Sequence, residues 1–211
     1  MKIAVFGATG RTGRLLVAGA LERGHTVTAL VRAPERLGAL AGTVRAVRGD
    51  VLDGGAVSDA VDGQDAVLVA LGVAMKKSDT PVNSLGTLNV IRSMQRYGAR
   101  RLVVLSAGGT QEGRDPNLPW VYERVVRPLF LRAAYADLRR METSVRQSQL
   151  DWTIVRASGG LTDGPPRGEY RVEPGYSIPG GRRIARADVA ELMLDQLVLL
   201  DDVGHAVAIA Y

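Results

Sequence analysis

The sequence predicts an α/β fold: one doubly wound parallel sheet, helices on both faces, in a single domain over residues 1–211. Three observations predict it. The apolar runs at 3–6 (IAVF), 66–71 (AVLVAL) and 101–105 (RLVVL) are continuous rather than alternating, as in strands covered on both faces. They are separated by longer stretches of helical period, such as 11–23 and 81–97, the order that gives a parallel sheet. The first run passes directly into Gly7-Ala8-Thr9-Gly10-Arg11-Thr12-Gly13, a strand-to-helix turn built on three glycines.

Gly7 suits the positive φ of such a turn, Gly10 lets an anion approach the backbone, and Gly13 lets the helix pack close to the strand. The helix over 11–23 then points its first N–H groups and its positive dipole end at that anion. Strand before and helix after are the context that makes the spacing a dinucleotide diphosphate site.

Composition narrows the alternatives. The chain has no cysteine, which excludes disulfides and thiol catalysis, and its two histidines, His25 and His205, are too distant in sequence to suggest a metal motif. No metal is expected, and both histidines read as solvated or hydrogen-bonded structural groups. With a first strand starting at Lys2 and no apolar run long enough to span a bilayer, a cytoplasmic protein without targeting segment or membrane span is expected. The net charge of +5 is largely arginine, since Lys2, Lys76 and Lys77 are the only lysines. It reads as arginine-favouring composition rather than a nucleic-acid surface.

A second strand is expected over 25–31, ending on Arg32 with Arg36 one helical turn further on. An acid about twenty residues past the glycines would accept from a ribose 2′-hydroxyl, whereas arginine there suits a 2′-phosphate, so NADP(H) is expected over NAD(H). A short strand over 44–47 leads to Asp50, which has two open roles: accepting from the adenine amino group or capping the helix expected over 52–61. The strand over 66–71 should bring Ala70, Leu71 and Gly72 beside the cofactor. Lys76-Lys77-Ser78 reads as a solvated loop, and 81–97 as a helix with Val82, Leu85, Leu88, Val90, Ile91 and Met94 largely on one face, stopped by Gly98.

The fifth strand, 101–105, delivers Ser106, Gly108 and Gly109 to the ligand-bearing edge, where the Ser106 hydroxyl either meets nicotinamide and substrate or satisfies loop backbone. Residues 117–149 read as one long helix, kinked or divided at Pro128. Its apolar stripe is Val121, Val125, Leu129 and Phe130, and its basic one is Arg124, Arg127, Arg132, Arg139 and Arg140. A sixth strand over 152–155 brings Arg156, Ser158 and Gly159 to the same edge as Ser106. Arg156 either binds an anionic group there or forms an ion pair beneath the edge. Residues 161–166 read as a loop, 170–181 as a ribbon or irregular cover, 186–200 as a helix beginning near Asp188, and 206–211 as the last strand. Segments 107–149 and 157–185 would form a small substrate-covering region.

Taken together, GATGRTG, VRAPERL, GDVLD, QDAVLVALG, RLVVLSAGG, WTIVRASGGLTDGP and ARADVAELML resemble, in order and over nearly the whole chain, the atypical short-chain dehydrogenase/reductases. The similarity is greatest to the flavin reductase/biliverdin-IXβ reductase branch and to nitrogen-metabolite-repressor-type proteins. It implies a Rossmann sheet binding NADP, with Gly7, Thr9, Gly10, Arg11, Thr12 and Gly13 on the diphosphate, and Arg32 and Arg36 on the 2′-phosphate. Asp50 and Val51 would meet the adenine, and Ala70, Leu71, Gly72 and Ser106 the ribose and nicotinamide. Arg156 is grouped with the cofactor-side residues. Gly108, Gly109, Tyr135, Ser158 and Gly159 would face the substrate, with Ser106 and Tyr135 the candidate catalytic groups.

The departures matter as much. Gly159 stands where the flavin reductase branch has a histidine, Leu138 where relatives often have the lysine of a tyrosine–lysine pair, and Ala157 where they have proline. Without that lysine, the cation that would lower a tyrosine pKa is missing. The expected activity is therefore hydride transfer from NADPH to a flavin-like, quinone-like or other conjugated carbonyl compound, which needs no such relay. Flavin is expected as substrate rather than bound cofactor, and the partner is a small molecule acting on a monomer or homodimer. Two other readings stand beside it: an NADP-sensing regulator without turnover, and a ketoreductase or non-redox isomerase or dehydratase.

Overall fold

The computed structural model describes residues 1–72, 81–111, 115–117 and 132–211. The Lys76–Lys77–Ser78 loop, the Pro128 kink and the stripe positions Val121, Arg124, Val125, Arg127, Leu129 and Phe130 lie outside the described residues.

The strands are β1 (Lys2–Phe6), β2 (Thr26–Val31), β3 (Arg45–Arg48), β4 (Ala66–Val69), β5 (Arg101–Ala107), β6 (Asp151–Ala157), β7 (Gly160–Thr162), β8 (Arg171–Pro174), β9 (Arg183–Ala185) and β10 (His205–Ala210). The helices are α1 (Arg11–Glu22), α2 (Gly54–Val61), α3 (Val82–Tyr97), α4 (Arg132–Arg146) and α5 (Arg186–Asp195), with a 3-10 segment at Pro34–Leu40. Eight strands form the main sheet in the order β3-β2-β1-β4-β5-β6-β10-β8. Every pairing in it is parallel except β8 against β10. This is the Rossmann arrangement, and the strand order reverses between β1 and β4, where such sheets open a ligand crevice.

The continuous apolar strands are explained by a core on each face. Ile3 and Val5 point to the side covered by Leu16 and Val17 of α1 and Val189 and Met193 of α5. Ala4 and Phe6 point to the side covered by Val57 of α2, Val90 and Met94 of α3, and Met141 and Val145 of α4. Because successive residues of a strand alternate faces, both sets must be apolar.

Several boundaries differ from expectation for physical reasons. The second helix starts at Gly54 rather than residue 52, because Asp53 is its N-cap and accepts from the Gly55 N–H at 2.9 Å. In α3, Leu85 is exposed, while the small and polar Asn83, Ser84, Gly86 and Thr87 are buried against neighbouring elements. Gly98 closes that helix in the left-handed conformation at φ 81°. Leu161 and Thr162, expected in a loop, belong with Gly160 to a strand that pairs in parallel with β9 as a separate two-stranded sheet. Residues 171–174, within the stretch expected as a ribbon or irregular cover, form a strand that extends the main sheet by one antiparallel edge. Among the described residues no helix is long and apolar enough to cross a membrane.

Candidate nucleotide-binding cleft

The glycine turn is built as its spacing requires. Gly7 has φ +87°, and a Cβ there would lie 2.3 Å from the Ala70 carbonyl oxygen. At Gly13 a Cβ would lie 2.0 Å from the Gly7 oxygen, so only glycine lets α1 descend onto the turn. Gly10 is the N-cap of α1, with no side-chain cap and no acid in the first turn, so the first N–H groups of the helix keep their capacity for an external anion.

Around this turn lies a cleft of about 710 Å³ at the C-terminal ends of β1, β2 and β4. Gly7, Thr9, Gly10, Arg11, Thr12, Arg32, Arg36, Asp50, Val51, Ala70, Leu71 and Gly72 all line it. Gly13 acts beneath the turn instead. One end is cationic: the Arg32 side chain is 78% exposed and 4.0 Å from the Asp50 carboxylate. Arg14, which sequence reasoning passed over, donates from Nε to the Thr9 carbonyl at 3.4 Å and from its terminal nitrogen to the Arg36 carbonyl, tying glycine turn and arginine loop together. Asp50 caps no helix, since Asp53 does that; its Oδ1 accepts from the Leu52 N–H at 3.0 Å and it stays in the cleft wall. Leu71, Val82, Leu105 and Leu161 add apolar wall, and Arg186 a further cation.

Ser106, Tyr135 and Arg156 are not part of these walls. Ser106 is buried and donates to Glu142 Oε1 at 2.7 Å. Thr110 donates to the same oxygen at 2.6 Å, while Arg156 grips both carboxylate oxygens, Nε to Oε1 at 3.0 Å and Nη2 to Oε2 at 2.5 Å. Of the two roles open to Arg156, the structure has the ion pair beneath the sheet edge. Burial pushes the Glu142 carboxyl up, but Arg156, Thr110 and Ser106 together outweigh burial and hold it below the ordinary carboxylate range.

Tyr135 is buried on α4 and donates to the Gly108 carbonyl at 3.1 Å. Ser158 is wholly buried, and its hydroxyl and that of Ser177 flank Gly108 so closely that a Cβ there would lie 2.9 and 2.7 Å from them. Gly108, Tyr135 and Ser158 are thus brought together. At Gly159, φ is +75° and a Cβ would lie 2.2 Å from the Arg182 backbone, so no imidazole fits at this position. Leu138 packs on the core face of α4. Its neighbour Asp137 is buried and accepts from the backbone N–H groups of Asn83 at 2.9 Å and Ser84 at 3.1 Å, capping α3 from another helix. Among the described residues no group of three or more acidic or histidine side chains converges as a metal site.

Comparison with known proteins places this geometry in a family. The model of an NAD(P)H-binding family matches residues 7–198. The chain belongs to that family. A chloroplastic protein of Arabidopsis thaliana, itself uncharacterised, is 30% identical over 208 residues, with 93% of this chain and 72% of that protein covered. Of two further curated relatives the chain spans only 45% and 20% of the length. A short-chain dehydrogenase/reductase of Veillonella parvula, solved with NADP, superposes with a TM-score of 0.83 at 19% identity, covering 100% of this chain and 94% of that one. ChuY of Escherichia coli O157:H7, described as an anaerobillin reductase, superposes with a TM-score of 0.82 at 22% identity, covering 100% and 97%. These likenesses show a shared Rossmann-type fold.

Proposed function

We propose that the protein is an NADPH-dependent reductase of a flat conjugated small molecule, flavin-like or quinone-like, taken up as a substrate. The observation that carries this reading is the polarity of the cleft. Its wall combines Arg32 and Arg36, the uncapped start of α1, and the apolar side chains of Leu71, Val82, Leu105 and Leu161.

The cationic end suits a 2′-phosphate, to which arginine donates in a bidentate fork. The glycine turn and the α1 dipole hold the diphosphate. When bound, the reduced nicotinamide supplies hydride. The apolar walls then stack a planar acceptor on the ring face, so that positioning does most of the catalytic work.

Protonation follows from which groups are already engaged. The Ser106 hydroxyl is spent on Glu142, Gly159 leaves no room for an imidazole, and Leu138 is in the core. Tyr135, on the Gly108 carbonyl, is the reserve acid. A conjugated acceptor needs none of these, because it delocalises the incoming charge and takes its proton from water. The fold neighbour described as a reductase is in keeping with this reaction class.

The same engaged groups favour a second reading, a regulator that binds NADP without turnover. The test is NADPH oxidation with FMN and a quinone panel. Steady oxidation supports the reductase. Tight NADP binding with no turnover across the panel replaces it with the regulator, and product formed without net NADPH consumption replaces it with an isomerase or dehydratase.

A further inference from the structure

Two arginines of the cleft wall stand apart from the 2′-phosphate end. Arg11 begins α1 and Arg186 begins α5. A single carboxylate joins them: Asp163 Oδ2 lies 3.0 Å from Arg11 Nη1, and Asp163 Oδ1 lies 2.7 Å from Arg186 Nη1. The placement is built by strand register. Thr162 is paired with Ala185 at the ends of the two strands of the small parallel sheet, so the residues that follow, Asp163 and Arg186, come side by side.

The two arginines are not alike. The side chain of Arg11 is 71% exposed, but that of Arg186 is only 10% exposed, and Asp163, its one charged partner among the described residues, is 64% exposed. A nearly buried guanidinium in the wall of a dinucleotide cleft, balanced by one solvated carboxylate, is a cation in place for a stronger anion. Arg186 lines the same cleft as Leu105 of β5 and Leu161 of β7, and β5 lies on the opposite side of β1 from β2, the strand that Arg32 follows.

Resting on the dinucleotide reading above, we propose that Arg186 binds the phosphate on the nicotinamide side of the diphosphate, and that Asp163 competes with the diphosphate for Arg11 and Arg186. If one carboxylate spans both guanidinium groups, a diphosphate, with more oxygens and more charge, spans them as well. Arginine gains from the exchange because phosphate accepts its planar fork in bidentate fashion. The carboxylate is released to water, where its exposure makes its loss of partner cheap.

Calorimetry with two probes tests this. NADP carries the nicotinamide-side phosphate, and 2′,5′-ADP lacks it. Arg186→Gln should weaken NADP about tenfold and leave 2′,5′-ADP unchanged, as expected for loss of one charge-assisted contact. Asp163→Asn, on an exposed side chain that does not threaten folding, should tighten NADP several-fold. The proposal is overturned if Arg186→Gln binds NADP like the parent, if it weakens both probes equally, or if Asp163→Asn weakens NADP, which would make the carboxylate a latch over the ligand. A parent protein that binds neither NADP nor NAD would instead remove the dinucleotide reading itself.

Discussion

Arg32 and Arg156 are the same residue at the same edge of the sheet, and they meet opposite fates. Arg32 follows β2 with its side chain 78% exposed and its nearest carboxylate at 4.0 Å. Arg156 ends β6 with its side chain 3% exposed, both oxygens of Glu142 on its guanidinium and the Gly175 carbonyl 2.7 Å from Nη1. The difference lies in what the rest of the chain lays over each strand end. Nothing described packs over Arg32 except the cleft, whereas α4 brings Glu142 down onto β6. An arginine at the ligand-bearing edge stays open to an external anion only where no buried carboxylate holds it: Glu142 is 5% exposed, whereas Asp50 is 43% exposed.

The largest effect that sharpens this contrast is Glu142→Gln. It leaves Arg156 buried without an anion and should cost about 3–5 kcal/mol of stability at neutral pH, measured by urea unfolding. A loss below about 1 kcal/mol would place the pair among ordinary surface contacts.

The same pair predicts a pH dependence. The Glu142 carboxyl is held below its ordinary value of 4.5 in the folded protein, so the unfolded chain takes up the proton first as pH falls. The stability it adds is therefore fully present above about 4.5 and is lost as pH drops through the folded value. The gap between parent and Glu142→Gln in unfolding free energy should accordingly close in acid. A gap that widened there would reverse the sign of the argument.

At the open end, Arg32→Ala should weaken NADP by about 1.5–3 kcal/mol while leaving NAD nearly unchanged, as for a hydrogen-bonded charge facing only the 2′-phosphate. Equal loss with both coenzymes would assign Arg32 to some other part of the ligand. The smallest effect is expected at Ser106→Ala, about 1.5 kcal/mol of stability, the low end for a hydrogen bond to a charged group because Glu142 keeps Thr110 and Arg156, with NADP affinity unchanged. A fall in NADP affinity instead would put the hydroxyl in the cleft.

The open half of the site was legible in sequence because its signals are local. Glycine spacing, a continuous apolar strand and an arginine at a strand end are each carried by a few consecutive residues, and the walls of the cleft assemble from them. The closed half depends on contacts between distant segments. Glu142 reads as one more acid on an arginine-rich helix, although its spacing from Leu138 and Val145 puts it on the core side, a signal that was available. Asp137 caps a helix through Asn83, 54 positions earlier, and Asp163 meets Arg186 only through the pairing of β7 with β9. Neither short strand carries enough residues to show a period of its own.

The central claim, that the amino-terminal strand, turn and helix grip a 2′-phosphorylated dinucleotide, is tested most directly by titrating the purified protein with NADP and with NAD in a calorimeter. Saturable binding of NADP, at least about tenfold tighter than NAD as one charge-assisted contact provides, is the predicted result. Absence of heat with both coenzymes, at concentrations where an unrelated member of the fold binds, would contradict it.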